Sequence, residues 1–139
     1  LFNDLVRFIG DDFSPVRPEL CKEYPTNYCI RQQINGKFSI RTYIDMPEST
    51  CITFASRYVD EDFHSFDEYV QSSLEDFLNL HNGLFNVNMS NEQGLELQLD
   101  VPNVVTDELV TFEHEAYMLP IVYSFGTIHF IFELIHNEL

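Results

Sequence analysis

The chain has 139 residues, 45 % of them hydrophobic, with thirteen Phe and seven Tyr. That is one domain's length and enough apolar surface for a core, which excludes a disordered chain. Seven Lys and Arg against 23 Asp and Glu leave a net charge of −16, so nucleic acid and anionic membrane are poor partners. No apolar run approaches the length of a membrane span, and no secretory signal opens the chain. Cys21, Cys29 and Cys51 form an odd set without C-x-x-C spacing, which reads as reduced thiols in a soluble, cytoplasmic module. With Leu rather than Met at residue 1, the expectation is a single domain over 1–139, excised from a longer protein or trimmed at its start.

Residues 1–10 place Leu1, Leu5, Phe8 and Ile9 at helical spacing, with Gly10 as a natural stop. Asp11, Asp12, Ser14, Pro15, Pro18 and Pro25 make 11–27 a loop with little regular structure. From Tyr28 the period becomes two. Ile30, Gln32 and Ile34 alternate on one side, then Asn35-Gly36, then Phe38, Ile40, Thr42 and Ile44. This predicts a β-hairpin closed by a type I′ turn at Asn35-Gly36.

Asp45 is positioned to cap a second helix, with Pro47 and Glu48 in its first turn and Ile52, Ala55, Tyr58 and Val59 as its apolar stripe. The acidic run Asp60-Glu61-Asp62 reads as that helix's solvated end. A long helix follows over about 65–86, with Phe66, Tyr69, Val70, Leu74, Phe77, Leu78, His81, Leu84 and Phe85 on one side. Leu95, Leu97 and Leu99 alternate with Glu96, Gln98 and Asp100, predicting a strand that stops at Pro102. Residues 116–125 and 127–135 read as a closing hairpin with its turn at Gly126. The order predicts an α+β domain with a largely antiparallel sheet packed against the long helix.

Most familiar chemistries are missing. The five histidines and three cysteines lack metal-ligand spacing, and no phosphate-binding glycine loop or G-x-S-x-G elbow appears. Cys51 reads as a core thiol rather than a nucleophile, and His81, inside the apolar arc, as a buried hydrogen-bonded histidine. The back of the long helix is the exception. Ser72, Asp76, Asn79 and Gly83 fall in one narrow arc opposite the apolar stripe, and Asp76 and Asn79, three apart, lie one above the other. Asn79, Asn82 and Gly83 are poor mid-helix residues, with Gly costing about 1 kcal/mol relative to Ala. From spacing alone this is either a functional face or a solvated face with a close helix crossing at Gly83.

The stretch SSLEDFLNLHNG (72–83) resembles the active-site helix of the CheC/CheX/FliY chemotaxis phosphatases, CheX most closely. Their signature is Glu, two residues, Asn, then Gly four further on; Asp76, Asn79 and Gly83 take those places. LDVPNVV (99–105) and LPIVYSFGTIHF (119–130) resemble later segments of the same family, so the likeness runs across most of the chain, best from about residue 28 onward. It implies a phosphatase acting on the aspartyl phosphate of a CheY-type receiver in two-component signalling, with Asn79 holding the attacking water in line and Asp76 engaging the receiver's lysine. Ser72, Glu75, Asn82 and Gly83 would be partner-binding residues. No cofactor of its own is implied, because the Mg2+ belongs to the receiver; a homodimer is expected.

Asp76 departs from the family pattern: it is a methylene shorter than Glu, roughly 1.5 Å of reach. Glu75, one residue back, points further round the helix. The charge of −16 also repels an acidic receiver, a repulsion that salt screens and that a receiver on the same polypeptide would offset through effective concentration. The alternative reading is a non-catalytic interaction or dimerisation module of a response regulator; a third is a flagellar-switch-type scaffold.

Overall fold

The computed structural model of the protein describes residues 1–135; His136 lies outside them. The elements follow in the order α1 (Phe2–Phe8), β1 (Phe13–Pro15), β2 (Glu19–Leu20), β3 (Glu23–Pro25), β4 (Tyr28–Asn35), β5 (Ser39–Met46), α2 (Glu48–Val59), α3 (Glu68–Gln93), β6 (Gln98–Leu99), β7 (Asn103–Thr106), β8 (Leu109–Thr111), β9 (Glu115–Tyr123) and β10 (Gly126–Ile135). The main sheet runs β1-β9-β10-β5-β4-β6, with β2 added to β9 and β7 to β4, while β3 and β8 pair separately. The pairings are antiparallel, as an α+β chain of hairpins requires. No helix among the described residues is long and apolar enough to cross a membrane.

Alternation along the strands divides the core in two. Ile30, Ile44, Ile121, Ile128 and Phe130 face the helices and pack with Leu5, Phe54, Leu74, Phe77 and Leu78. Cys29, Tyr43 and Ile131 face the other way, beneath Tyr24 of β3 and Val110 of β8. The Phe54 and Phe77 rings meet edge to face at 5.0 Å, locking α2 to α3 with about 0.5–1.5 kcal/mol beyond their burial.

The β4–β5 hairpin forms, but not around the predicted type I′ turn. Ile34 pairs with Ile40, Gln32 with Thr42 and Ile30 with Ile44. A two-residue loop at Asn35-Gly36 would instead set Ile34 opposite Lys37 and Ile30 opposite Arg41, turning one apolar row to the wrong face. Burial overrides the turn signal. Gly36 serves a close approach, since a Cβ there would lie 2.6 Å from Leu97 Cδ2 and 2.9 Å from the Glu96 carbonyl.

Four further expectations are corrected. The 11–27 segment carries β1, β2 and β3, which borrow their ladder bonds from β9 and β8 and so need no periodicity of their own. Asp45 is not a helix cap: β5 runs to Met46 and Pro47 takes the cap position of α2. The Asp45 carboxylate is buried and accepts bonds from Tyr24 Oη at 2.7 Å and from Asn27 N and Nδ2 at 2.8 and 3.1 Å. The strand predicted after α3 shrinks to Gln98–Leu99, because α3 runs on to Gln93 and ends on Gly94 at φ 66°. The closing hairpin forms, but its turn is Ser124-Phe125 rather than Gly126, which opens β10 opposite Tyr123.

Candidate functional site

Asp67 starts α3 by accepting from the backbone N–H groups of Tyr69 and Val70 at 3.0 and 3.1 Å. From there, Val70, Ser73, Leu74, Phe77, Leu78 and Asn82 turn inward. The 3.6-residue period therefore leaves Ser72, Asp76 and Asn79 exposed on the outer face, with Gly83 half-buried beside them. The close helix crossing entertained at Gly83 is not there: a Cβ built on it meets nothing within 4 Å.

Each member of the D-x-x-N pair is held from a different neighbouring element. The Asp76 carboxylate accepts a 2.5 Å bond from Tyr58 Oη on α2. Burial first, and this bond second, push the Tyr58 hydroxyl's pKa well up, so it stays a donor. On the other side, Asn79 Oδ1 accepts a 2.8 Å bond from Gln32 Nε2 on β4. With its oxygen so engaged, the exposed carboxamide keeps its amino group for other partners. Charge-assisted donation to Asp76 and the bond to Asn79 Oδ1 hold a carboxylate and a carboxamide about one helical turn apart.

Of the expected partner-binding residues, Ser72 is exposed and lines a shallow groove of about 380 Å³ with Tyr58, Tyr69 and Asp76. Glu75 is half-buried and accepts from Gln71 Nε2 at 3.1 Å, and its charge acts on Tyr28 rather than at the Asp76 side. Asn82 must be corrected: it is fully buried, donates from Nδ2 to Gln32 Oε1 and Thr42 Oγ1, each at 2.9 Å, and touches no solvent. It supports the site from beneath.

Tyr58 and Gln32 are the site residues that sequence reasoning missed. Gln32 left a signal, being the polar interruption of Ile30-x-Gln32-x-Ile34, and Thr42, directly across the hairpin, interrupts Ile40 and Ile44 in the same way. Tyr58 was hidden inside the apolar stripe of its helix.

The remaining candidates are structural. Burial pushes the Cys51 thiol up to about 12 and raises Cys29 as well, so neither is a nucleophile at neutral pH. His81 is mostly buried, shares a 3.1 Å contact between Nδ1 and Asn82 Oδ1, and has its pKa lowered by that burial. No cluster of metal-ligating side chains occurs among the described residues.

The family profile described as "Chemotaxis phosphatase CheX" matches residues 28–126, whereas no curated protein matches the chain. The structure is similar to the chemotaxis protein CheX from Desulfovibrio desulfuricans, with TM-score 0.80 and 15 % identity over 96 % of this chain and 92 % of that one. It is also similar to the structure of a CheX-CheY-BeF3-Mg2+ complex from Borrelia burgdorferi, with TM-score 0.82 and 17 % identity over the same shares, 96 % and 92 %. FliY from Thermotoga maritima is more distant, with TM-score 0.60 and 11 % identity over 98 % and 82 %.

Proposed function

Because the chain belongs to the chemotaxis phosphatase CheX family, we propose that it accelerates hydrolysis of the aspartyl phosphate on a CheY-type receiver. The outer face of α3 docks over the receiver's acyl phosphate. Asp76 engages the receiver's lysine, and Asn79 enters beside the phosphoryl group, where its carboxamide orients the attacking water. An acyl phosphate hydrolyses unaided, so an enzyme gains chiefly by positioning and charge stabilisation. One carboxamide that donates and accepts is sufficient, and the metal that steadies the phosphoryl oxygens belongs to the receiver. A complex of a structurally similar CheX with CheY supports the choice of partner.

The observation that carries this reading is the exposure of Asp76 and Asn79 one turn apart on α3, each already held by one hydrogen bond. It is tested by phosphate release from a phosphorylated receiver with Mg2+ present. Wild type is expected to accelerate release and Asn79→Ala to abolish the acceleration. Equal rates for the two would leave a binding module without this chemistry.

A further inference from the structure

Beneath the exposed pair lies a buried polar cluster that a purely apolar core would not need. Gln32 is 1 % exposed, Asn82 0 % and Thr42 4 %, and each such group must find its partners inside the protein. Their bonds have a direction. The Thr42 hydroxyl donates to the Gln32 carbonyl at 2.9 Å, so Thr42 Oγ1 is an acceptor for Asn82 Nδ2 at 2.9 Å. That bond fixes the Asn82 amide, and its Oδ1 faces His81 Nδ1 at 3.1 Å. Asn82 Nδ2 then donates to Gln32 Oε1 at 2.9 Å, which fixes the Gln32 amide in turn. Both hydrogens of Gln32 Nε2 are thereby aimed, one at the Asp100 carbonyl at 2.8 Å and the other at Asn79 Oδ1 at 2.8 Å. Reversing Gln32 would set its amino group against that of Asn82 and its oxygen against the Asp100 carbonyl.

We propose that Gln32 is a positioning residue for Asn79: through a directional hydrogen-bond chain from Thr42 and Asn82 it decides which end of the Asn79 carboxamide is presented to the partner. The inference rests on the proposed role of Asn79 in orienting water. Gln32 holds one lone pair of Oδ1 and leaves the other, with the amino group, for the water and phosphoryl oxygens. The chain thus supplies before docking an orientation that a free Asn side chain would have to be selected into on docking.

The test uses the whole chain, wild type against Gln32→Met, which keeps the side chain's length and removes its donor. Against a phosphorylated receiver, kcat is expected to fall about tenfold with KM within about twofold. A kcat unchanged in Gln32→Met would overturn the proposal. A second readout needs no catalysis. The Asn79 side-chain amide should show an NMR order parameter near that of rigid backbone, about 0.85, in wild type and below about 0.6 in Gln32→Met. A mobile Asn79 amide in wild type overturns the proposal even if the variant does not fold. If wild type fails to accelerate hydrolysis, the proposed function falls, and the order parameters alone decide whether Gln32 positions Asn79.

Discussion

Asn79 and Asn82 are the same side chain three residues apart on one helix, and they sit in opposite worlds. Asn79 stands in solvent with one bond to the body, whereas Asn82 has no exposed surface and bonds to Gln32, Thr42 and His81. A step of three residues rotates the helix by about 300°, enough to carry a carboxamide from the outer arc to the edge of the core. The outer face is therefore free to serve a partner because the inner face carries the stability. The two faces are not independent, since Gln32 joins the two asparagines.

Removing each asparagine in turn tests that division most severely. Asn79→Ala should abolish accelerated phosphate release while urea unfolding shifts by no more than about 1 kcal/mol, the worth of one hydrogen bond at an exposed position where water can replace Oδ1 on Gln32. Asn82→Ala should do the reverse in origin, lowering unfolding free energy by about 2–3 kcal/mol because it strands the buried Gln32 oxygen and opens space. Activity measured on the fraction still folded would then fall through Gln32. A large stability loss in Asn79→Ala would break the comparison.

Gly83 sharpens it in the opposite direction. Its Cβ position is open, so Gly83→Ala should raise stability by about 1 kcal/mol through helix propensity, read in the same urea titration. If the outer face docks a receiver, that added methyl should also weaken binding of the phosphorylated receiver several-fold, measured by titration calorimetry. Stability without loss of affinity would place Gly83 outside the interface.

Tyr58→Phe is a smaller change on the other flank. It removes the hydroxyl that holds Asp76 and should slow phosphate release a few-fold. Asp76→Glu, which restores the family's longer acid, should keep or improve the wild-type rate. A wild-type rate in Tyr58→Phe would show that Asp76 needs no tether.

The smallest effect is one of pH. Burial lowers the pKa of His81 below its ordinary 6.5, while Asn82 and Asp4 act the other way. In that range the unfolded chain binds a proton that the native chain does not, so the neutral histidine's contribution is present above pH 6.5 and is lost as pH falls below it. The difference in melting temperature between wild type and His81→Phe should therefore shift against wild type between pH 7 and 5.

Much of this was legible in one dimension. The D-x-x-N arc of Ser72, Asp76 and Asn79 follows from helical periodicity, and the hairpin of β4 and β5 from strict alternation. The failures share a cause. The Asn35-Gly36 turn was overruled because Ile30, Ile34, Ile40 and Ile44 had to share a face. β1, β2 and β3 escaped notice because their partners lie in distant strands. Asp45 looked like a cap but is the buried acceptor for Tyr24 and Asn27, brought to it by the sheet. Asn82 was grouped with Asn79 because the helical arc does not say how deep a neighbouring strand reaches.

By itself the sequence determined the periodicities: which segments coil, which extend, and that an acid and an asparagine share one side of α3. Those are properties of nearest neighbours along the chain, set by backbone geometry and side-chain alternation. Only the tertiary structure decided what holds that pair. Tyr58 lies 18 residues from Asp76 and Gln32 lies 47 from Asn79, and contacts at such separations exist only after α2 and β4 have packed against α3. A hydrogen bond is directional and short, so its partners are chosen by the packed core, which no local pattern in the chain specifies.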